Sequence, residues 1–251
     1  METTRLHTKR KKEGGVELIM SIKNKFTVRI LKNSEAHEWF LKKHYLKRLP
    51  PMSYCYGLYD ESLSLIGVAN YGRPAAHGVV KGAFGGKLMD NFLELNRLII
   101  NDGLQKNILS FFLSNTISLL PKPQAIVSYA DTSQGHHGYI YQATNWIYTG
   151  LSAKRKDYKL KGVHNLHSQI LLDREGRHMT KGKAAEMKIK YGDDLYTEHR
   201  PRKHRYFYFV GNKKQKKEML SNLIYKIQAY PKGDNKRYDT SYKPSVQGLL
   251  F

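Results

Sequence analysis

The sequence holds a single cysteine, Cys55, among 251 residues. One thiol excludes an internal disulfide framework and any zinc site built from several cysteines, and it fits a reducing cytoplasm. No apolar run approaches the roughly 20 residues that cross a bilayer, and no signal-peptide core follows the basic N-terminus. Acidic residues are also scarce: 21 Asp and Glu stand against 43 Lys and Arg, a formal charge of +22.

That excess is unevenly placed. Residues 1–51 carry a net +8, residues 52–150 are neutral, and residues 151–251 carry +14. Basic flanks around a neutral, apolar-rich centre predict a folded core that presents positive surfaces to a polyanion. Nucleic acid fits better than an anionic membrane surface, because no amphipathic anchor stands out. The side chains expected at that surface are Lys42, Lys43, Lys47 and Arg48, then Lys154, Arg155 and Lys156, then Arg202, Lys203, Arg205, Lys213 and Lys214. The Lys213–Lys217 cluster alone would read as an ordinary solvated helix face.

Patterning divides the chain into a disordered basic arm (1–19, with Met20 as an alternative start), a core (20–153), a basic extension that completes the sheet and contacts DNA (154–235), and a tail (236–251). In the core, alternation predicts strands over 25–31, 53–60, 64–72, 92–100, 124–130 and 146–152. Ser34 can cap a first helix, helical spacing covers 104–120 until Pro121 and Pro123 stop it, and "HGYIYQATN" fits a short helix. The glycine- and alanine-rich stretch 72–86 reads as a long loop. In the extension a basic loop (153–162), a strand (167–172), a basic helix on "TKGKAAEMKIKYG", an aromatic strand (204–211) and a helix (213–227) are expected. Strand–helix–strand order with short links implies an α/β layer.

The order helix, hairpin, strand 92–100, helix 104–120, strand 124–130, short helix, strand 146–152 resembles the GNAT acyltransferase superfamily. The resemblance implies a mixed central sheet flanked by helices, with acetyl-coenzyme A lying between two splayed parallel strands, here 92–100 and 124–130. The usual phosphate loop is replaced by "NDGLQKN", which keeps Gly103 and adds Lys106. Arg97, Leu98, Ile99, Gly103, Lys106, Asn107 and Ser110 are the cofactor-binding positions that follow from it. A helix N-terminus favours an anion there through its free N–H groups and its dipole.

"ADTSQGHHGYIYQATNWIYTG" (130–150), with "KKHYL" (42–46) and "ELNRL" (94–98), narrows the resemblance to the phage Mom family of DNA-modification proteins. That resemblance implies a phage protein acting in the host cytoplasm. It would convert adenine in double-stranded DNA to an N6-carbamoylmethyl derivative that blocks restriction endonucleases. It places the family's catalytic residues on His44, Tyr45, Asp131 and Tyr141. Iron, with His44, His136 and Asp131 as a facial ligand set, is a further implication. Two other readings fit the same residues. One is a GNAT enzyme acetylating another amine, a hypermodified pyrimidine or a protein lysine. The other is an inactive GNAT fold that only binds nucleic acid.

The residue types suit adenine. Its exocyclic amine is a weak nucleophile and needs an acceptor aimed at the N–H, a task for Asp131 or His44. Tyr141 can donate to a departing thiolate or a developing oxyanion. A base inside a duplex must be flipped out, and Tyr45, Tyr129, Tyr139 and Trp146 are candidates to stack on it. Each residue also has a plainer reading. Asp131 can cap a turn, His44 can compensate a helix dipole, Tyr141 can be core, and His136 can cap the short helix. His136 and His137 are adjacent and are expected to point different ways. Glu94 and Arg97, three apart on a strand, are expected on opposite faces.

Overall fold

The computed structural model describes residues 9–13, 16–20, 25–74, 78–162, 171 and 181–233. Within the segment expected as a disordered arm, two strands, β1 (Lys9–Glu13) and β2 (Val16–Met20), pair antiparallel with each other.

The main sheet has seven strands. They are β3 (Thr27–Ile30), β4 (Tyr54–Tyr59), β5 (Leu65–Gly72), β6 (Phe92–Ile100), β7 (Gln124–Asp131), β8 (Ile147–Leu151) and β11 (Lys203–Val210), in the order β3-β4-β5-β6-β7-β11-β8. Only β6 and β7 run parallel, and their pairing covers Phe92–Leu95 against Ala125–Ser128. Beyond Leu95 and Ser128 the two strands continue without pairing, so they splay toward their C-terminal ends. β11, from the segment read as a basic extension, inserts between β7 and β8.

Helices cover both faces. Leu93, Leu95, Ile126 and Ala130 join one buried cluster with Ile108 and Phe112 of α3 (Ile108–Leu119) and Tyr141 of α4 (Tyr139–Ala143). On the other face, Phe92, Val127 and Phe207 pack with Phe84 of α2 (Gly78–Phe84) and Met219 of α6 (Lys213–Ser221). The strip under β5 and the end of β6 is covered by α1 (Asn33–Glu38) and its π-helical continuation Trp39–Lys43. Alternation of inward residues on opposite faces is what this two-sided burial requires of a central strand.

Several elements differ from the sequence reading. The stretch 72–86 is not all loop, since Gly78–Phe84 is helical and buries Val80, Ala83 and Phe84. Part of the expected basic loop 153–162 is strand β9 (Arg155–Leu160), paired with β10 (Leu195–Arg200), which had not been expected. With α5 (Lys181–Tyr191) these strands form a small separate sheet around Leu171, Met187 and Leu195. Their alternation is masked by charges, which cross-strand pairs such as Arg200–Asp157 at 2.6 Å accommodate. Apart from Leu171, the expected strand 167–172 lies outside the described residues, as does the tail 236–251. The last helix stops at Ser221 rather than 227.

Candidate active site

Splayed strands leave a gap in a sheet, and here it is a cleft of about 480 Å³ between β6 and β7. All the sequence-predicted catalytic and cofactor positions line it: His44, Tyr45, Asp131 and Tyr141, and Arg97, Leu98, Ile99, Gly103, Lys106, Asn107 and Ser110. His136 lines it as well, whereas His137 packs 5.5 Å from His204, so the two neighbours do point different ways.

One irregularity in β6 shapes this wall. Consecutive Asn70 and Tyr71 on β5 oppose Arg97 and Leu95 on β6, which leaves Asn96 as a bulge. The extra residue shifts the alternation. Glu94 and Arg97 therefore lie on the same face, contrary to the expectation from an unbroken strand.

His44 follows the π-helical turn in an extended conformation, and its backbone N–H donates to Trp39 O at 2.9 Å. Its Nδ1 accepts from the Leu46 N–H at 3.2 Å, and its ring stacks on Tyr45 with centroids 4.5 Å apart. Burial, then the charges of Arg97 and Lys203, hold its pKa well below the usual histidine value. The ring is neutral, and with Nδ1 accepting, its proton sits on Nε2. His44 thus presents a donor at Nε2, which argues against its use as the base.

Asp131 ends β7 and caps the short helical turn Thr132–Gln134. Its Oδ1 accepts from Ser133 N at 3.0 Å and Ser133 Oγ at 2.7 Å. Its Oδ2 accepts from Tyr45 OH at 3.1 Å and is 2.9 Å from Lys203 Nζ. Burial raises its pKa, but the Lys203 ammonium and the Ser133 bonds outweigh that and leave it below the usual carboxylate value. The cap reading and the site reading are both satisfied: one oxygen caps, the other faces Tyr45 and Lys203. Lys203, expected at the nucleic-acid surface, is a cleft residue.

Tyr141 is buried beneath the cleft by Gly138, whose φ of 76° starts α4. A Cβ on Gly138 would also lie 2.5 Å from the Tyr206 ring, so both conformation and space call for glycine. Ser128 Oγ is 2.8 Å from both Tyr141 OH and the Leu95 carbonyl, at the last paired residues before the strands part. Ser128 carried no signal in the sequence beyond being a polar residue inside a buried strand. Trp146, expected to stack on a base, is instead fully buried with its ring 5.0 Å from that of Tyr141.

At the mouth, Asn107 with φ 72° sets the start of α3 four residues later than the periodicity implied. The helix therefore opens at Ile108, and its first-turn N–H groups, which lack intrahelical partners, border the cleft beside Gly103 and Lys106. Backbone donors, a helix N-terminus and one lysine suit a pyrophosphate. The iron set does not fit. Among the described residues no three His, Cys, Asp or Glu side chains are placed to hold a metal ion, and the Lys203 ammonium occupies the Asp131 Oδ2 position.

The basic residues also sort themselves. Lys42, Lys47, Lys154, Arg155, Lys156, Lys213 and Lys214 are exposed, and Arg48 is half-buried. Three expected contacts are structural instead. Lys43 is buried and 3.8 Å from Asp102; Arg202 donates to Ser152 O and Leu151 O. Arg205 is buried, bonds Thr149 Oγ1 and O at 2.9 and 3.0 Å, and lies 3.4 Å from the Tyr225 ring centroid.

A mixed sheet with one parallel pair splayed over a helix N-terminus defines a GNAT-like α/β protein. The chain belongs to the Mom protein family, whose model matches residues 25–232. It is 25% identical over 194 residues to the methylcarbamoylase mom of Escherichia phage Mu, covering 76% of this chain and 77% of that one. Among solved structures it is similar to the spermidine/spermine N-acetyltransferase of Vibrio cholerae, with 9% identity, a TM-score of 0.40, and 78% and 98% of the two chains covered. A GNAT acetyltransferase from Bacillus cereus gives 11% identity, a TM-score of 0.38, and 74% and 99% coverage. No helix among the described residues is long and apolar enough to cross a membrane.

Proposed function

We propose that this chain modifies the exocyclic amine of adenine in double-stranded DNA, with an acyl-coenzyme A as donor and protection from restriction endonucleases as the consequence. Acetyl transfer alone gives an N6-acetyl amide, so an N6-carbamoylmethyl product needs a nitrogen donor and a two-electron oxidant besides. The observation that carries this reading is how the cleft carboxylates are matched. Asp131 is paired with Lys203, and Asp102 lies 3.8 Å from Lys43. An alkylammonium, such as a lysine or a polyamine, needs an uncommitted carboxylate to replace its hydration. A neutral aromatic amine needs only hydrogen-bond partners, and this cleft is furnished for one.

Coenzyme A, when bound, supplies an activated acyl group. Gly103, Lys106, Asn107 and the first turn of α3 would hold its pyrophosphate. Asp131, kept ionised by Lys203 and Ser133, faces the amine and takes the proton the nitrogen releases as its new bond forms, directly or through a water. His44 offers its Nε2 proton to a ring nitrogen or developing oxyanion, and Tyr141, whose hydroxyl meets Ser128 Oγ at 2.8 Å, is assigned as donor to the leaving group. Tyr45, Tyr129 and Tyr139 line the space for a flipped base. The exposed lysines and arginines supply phosphate contacts.

An amine competition tests the reading. Purified protein is given acetyl-coenzyme A with duplex DNA, a lysine peptide or spermidine, and thiol release is followed. Release stimulated by DNA alone is expected. Release with the peptide or spermidine and none with DNA would replace adenine with another amine.

A further inference from the structure

Beside the cleft runs the loop His44–Pro51, "HYLKRLPP", whose outer half has no role in the site described above. Its backbone is anchored on both sides of Leu49, at Leu46–Arg48 and at Pro51. Leu46 N donates to His44 Nδ1 at 3.2 Å and Lys47 N to His44 O at 2.9 Å. Arg97 Nη2 donates to Arg48 O at 3.1 Å. Asn70 Nδ2 and Asn96 Nδ2 both donate to Pro51 O at 2.9 Å. Gly72 approaches that carbonyl so closely that a Cβ would overlap it. The bulge at Asn96 thus holds the loop as well as shaping the cleft.

The inner residues Tyr45 and Leu46 line the cleft. The outer ones do the opposite: Lys47 is exposed, and Leu49 keeps 38% of its surface in solvent. The anchors on either side of Leu49 hold the turn that presents it beside the cleft.

Resting on the adenine reading, we propose that this loop enters the duplex, with Leu49 filling the space left by the extruded base and Lys47 and Arg48 meeting the flanking phosphates. Extruding a base costs a few kcal/mol in lost pairing and stacking, and a rigid apolar wedge between base steps offsets part of it. The wedge must be apolar, exposed, next to the pocket, immobile and flanked by cations. Leu49 is apolar and exposed, three residues from the cleft-lining Leu46, in a loop anchored on both sides, with Lys47 and Arg48 just before it.

The test uses one plasmid, native and heat-denatured, with modified deoxyadenosine counted by nucleoside mass spectrometry. Leu49→Ala is compared with wild type, with Leu49→Met, which keeps the reach of the side chain, and with Leu119→Ala. Leu119 is 50% exposed at the end of α3 remote from the cleft and serves as control. Leu49→Ala is expected to lose about tenfold on native plasmid, as a loss of ~1.4 kcal/mol in extrusion implies, and to keep wild-type activity on denatured plasmid. Leu49→Met and Leu119→Ala are expected to match wild type on both. Equal loss on both substrates, or no loss on native DNA, would overturn the wedge while leaving the adenine reading intact. A wild type that modifies neither substrate would overturn both.

Discussion

Lys203 and Asp131 stand directly opposite each other on β11 and β7, with 2.9 Å between Nζ and Oδ2. The pair joins the basic extension to the core at the point where the cleft opens. It makes the first residue of β11 part of the site, and it favours the ionised form of Asp131.

Removing the ammonium should move the acid limb of the activity profile. Asp131 has a folded pKa below its unfolded value. Its contribution to stability is therefore complete above the unfolded value near 3.9 and is lost as pH falls through the folded one. In Lys203→Met, burial acts without the opposing charge, so the acid limb should move to higher pH, and Lys203→Arg should restore it. Melting temperatures between pH 7 and pH 3 supply the second readout. The gap between wild type and Asp131→Asn should narrow as pH falls below 4.

His44 should stay neutral where most histidines titrate. Its pKa is lowered by burial first and by Arg97 and Lys203 next, so protonation is disfavoured in the folded state. Ring nitrogen chemical shifts should report the Nε2–H tautomer unchanged from pH 8 to pH 5.5. A ring that titrates near 6.5 would remove the donor role assigned to it.

Tyr141→Phe should separate chemistry from folding. It removes one hydroxyl bonded to Ser128, worth about 1 kcal/mol of stability, and it removes the donor to the leaving group, worth about 100-fold or more in rate. Coenzyme A binding measured by calorimetry should be unchanged.

Charge substitutions should divide by burial. Lys213→Ala and Lys214→Ala, on exposed positions of α6, should leave melting unchanged and lower the salt slope of DNA binding by about one per lost phosphate contact. Arg205→Ala should instead destabilise by about 1–3 kcal/mol, because it removes the guanidinium bonds to buried Thr149 and the contact with the Tyr225 ring. An Arg205 variant that melts like wild type yet loses DNA would put that side chain back at the surface.

Strand β6, helix α3 and strand β7 were legible because each keeps one apolar period and ends at a clear stop, Asp102-Gly103 or Pro121. The residues of the cleft were legible for a different reason, the quoted motifs and their resemblance to a family. Long-range pairing was not legible. Nothing local says that Lys203 faces Asp131 across 72 positions of chain, or that Arg205 turns inward two residues later. Charge counts treat all such residues as surface, and only the register of β11 divides them. The Asn96 bulge was invisible for a similar reason, since one extra residue in a strand leaves the composition unchanged and reverses which residues share a face. Strands β9 and β10 were hidden because their charged, largely exposed residues leave no apolar alternation to read.

The central claim is that the base modified is adenine. Nucleoside mass spectrometry on DNA from cells expressing the chain, beside cells expressing Asp131→Ala, tests it most directly. The account predicts a deoxyadenosine carrying an added carbamoylmethyl mass in the first culture and unmodified deoxyadenosine in the second. Unchanged DNA in both cultures, or an added mass on a pyrimidine, would contradict it.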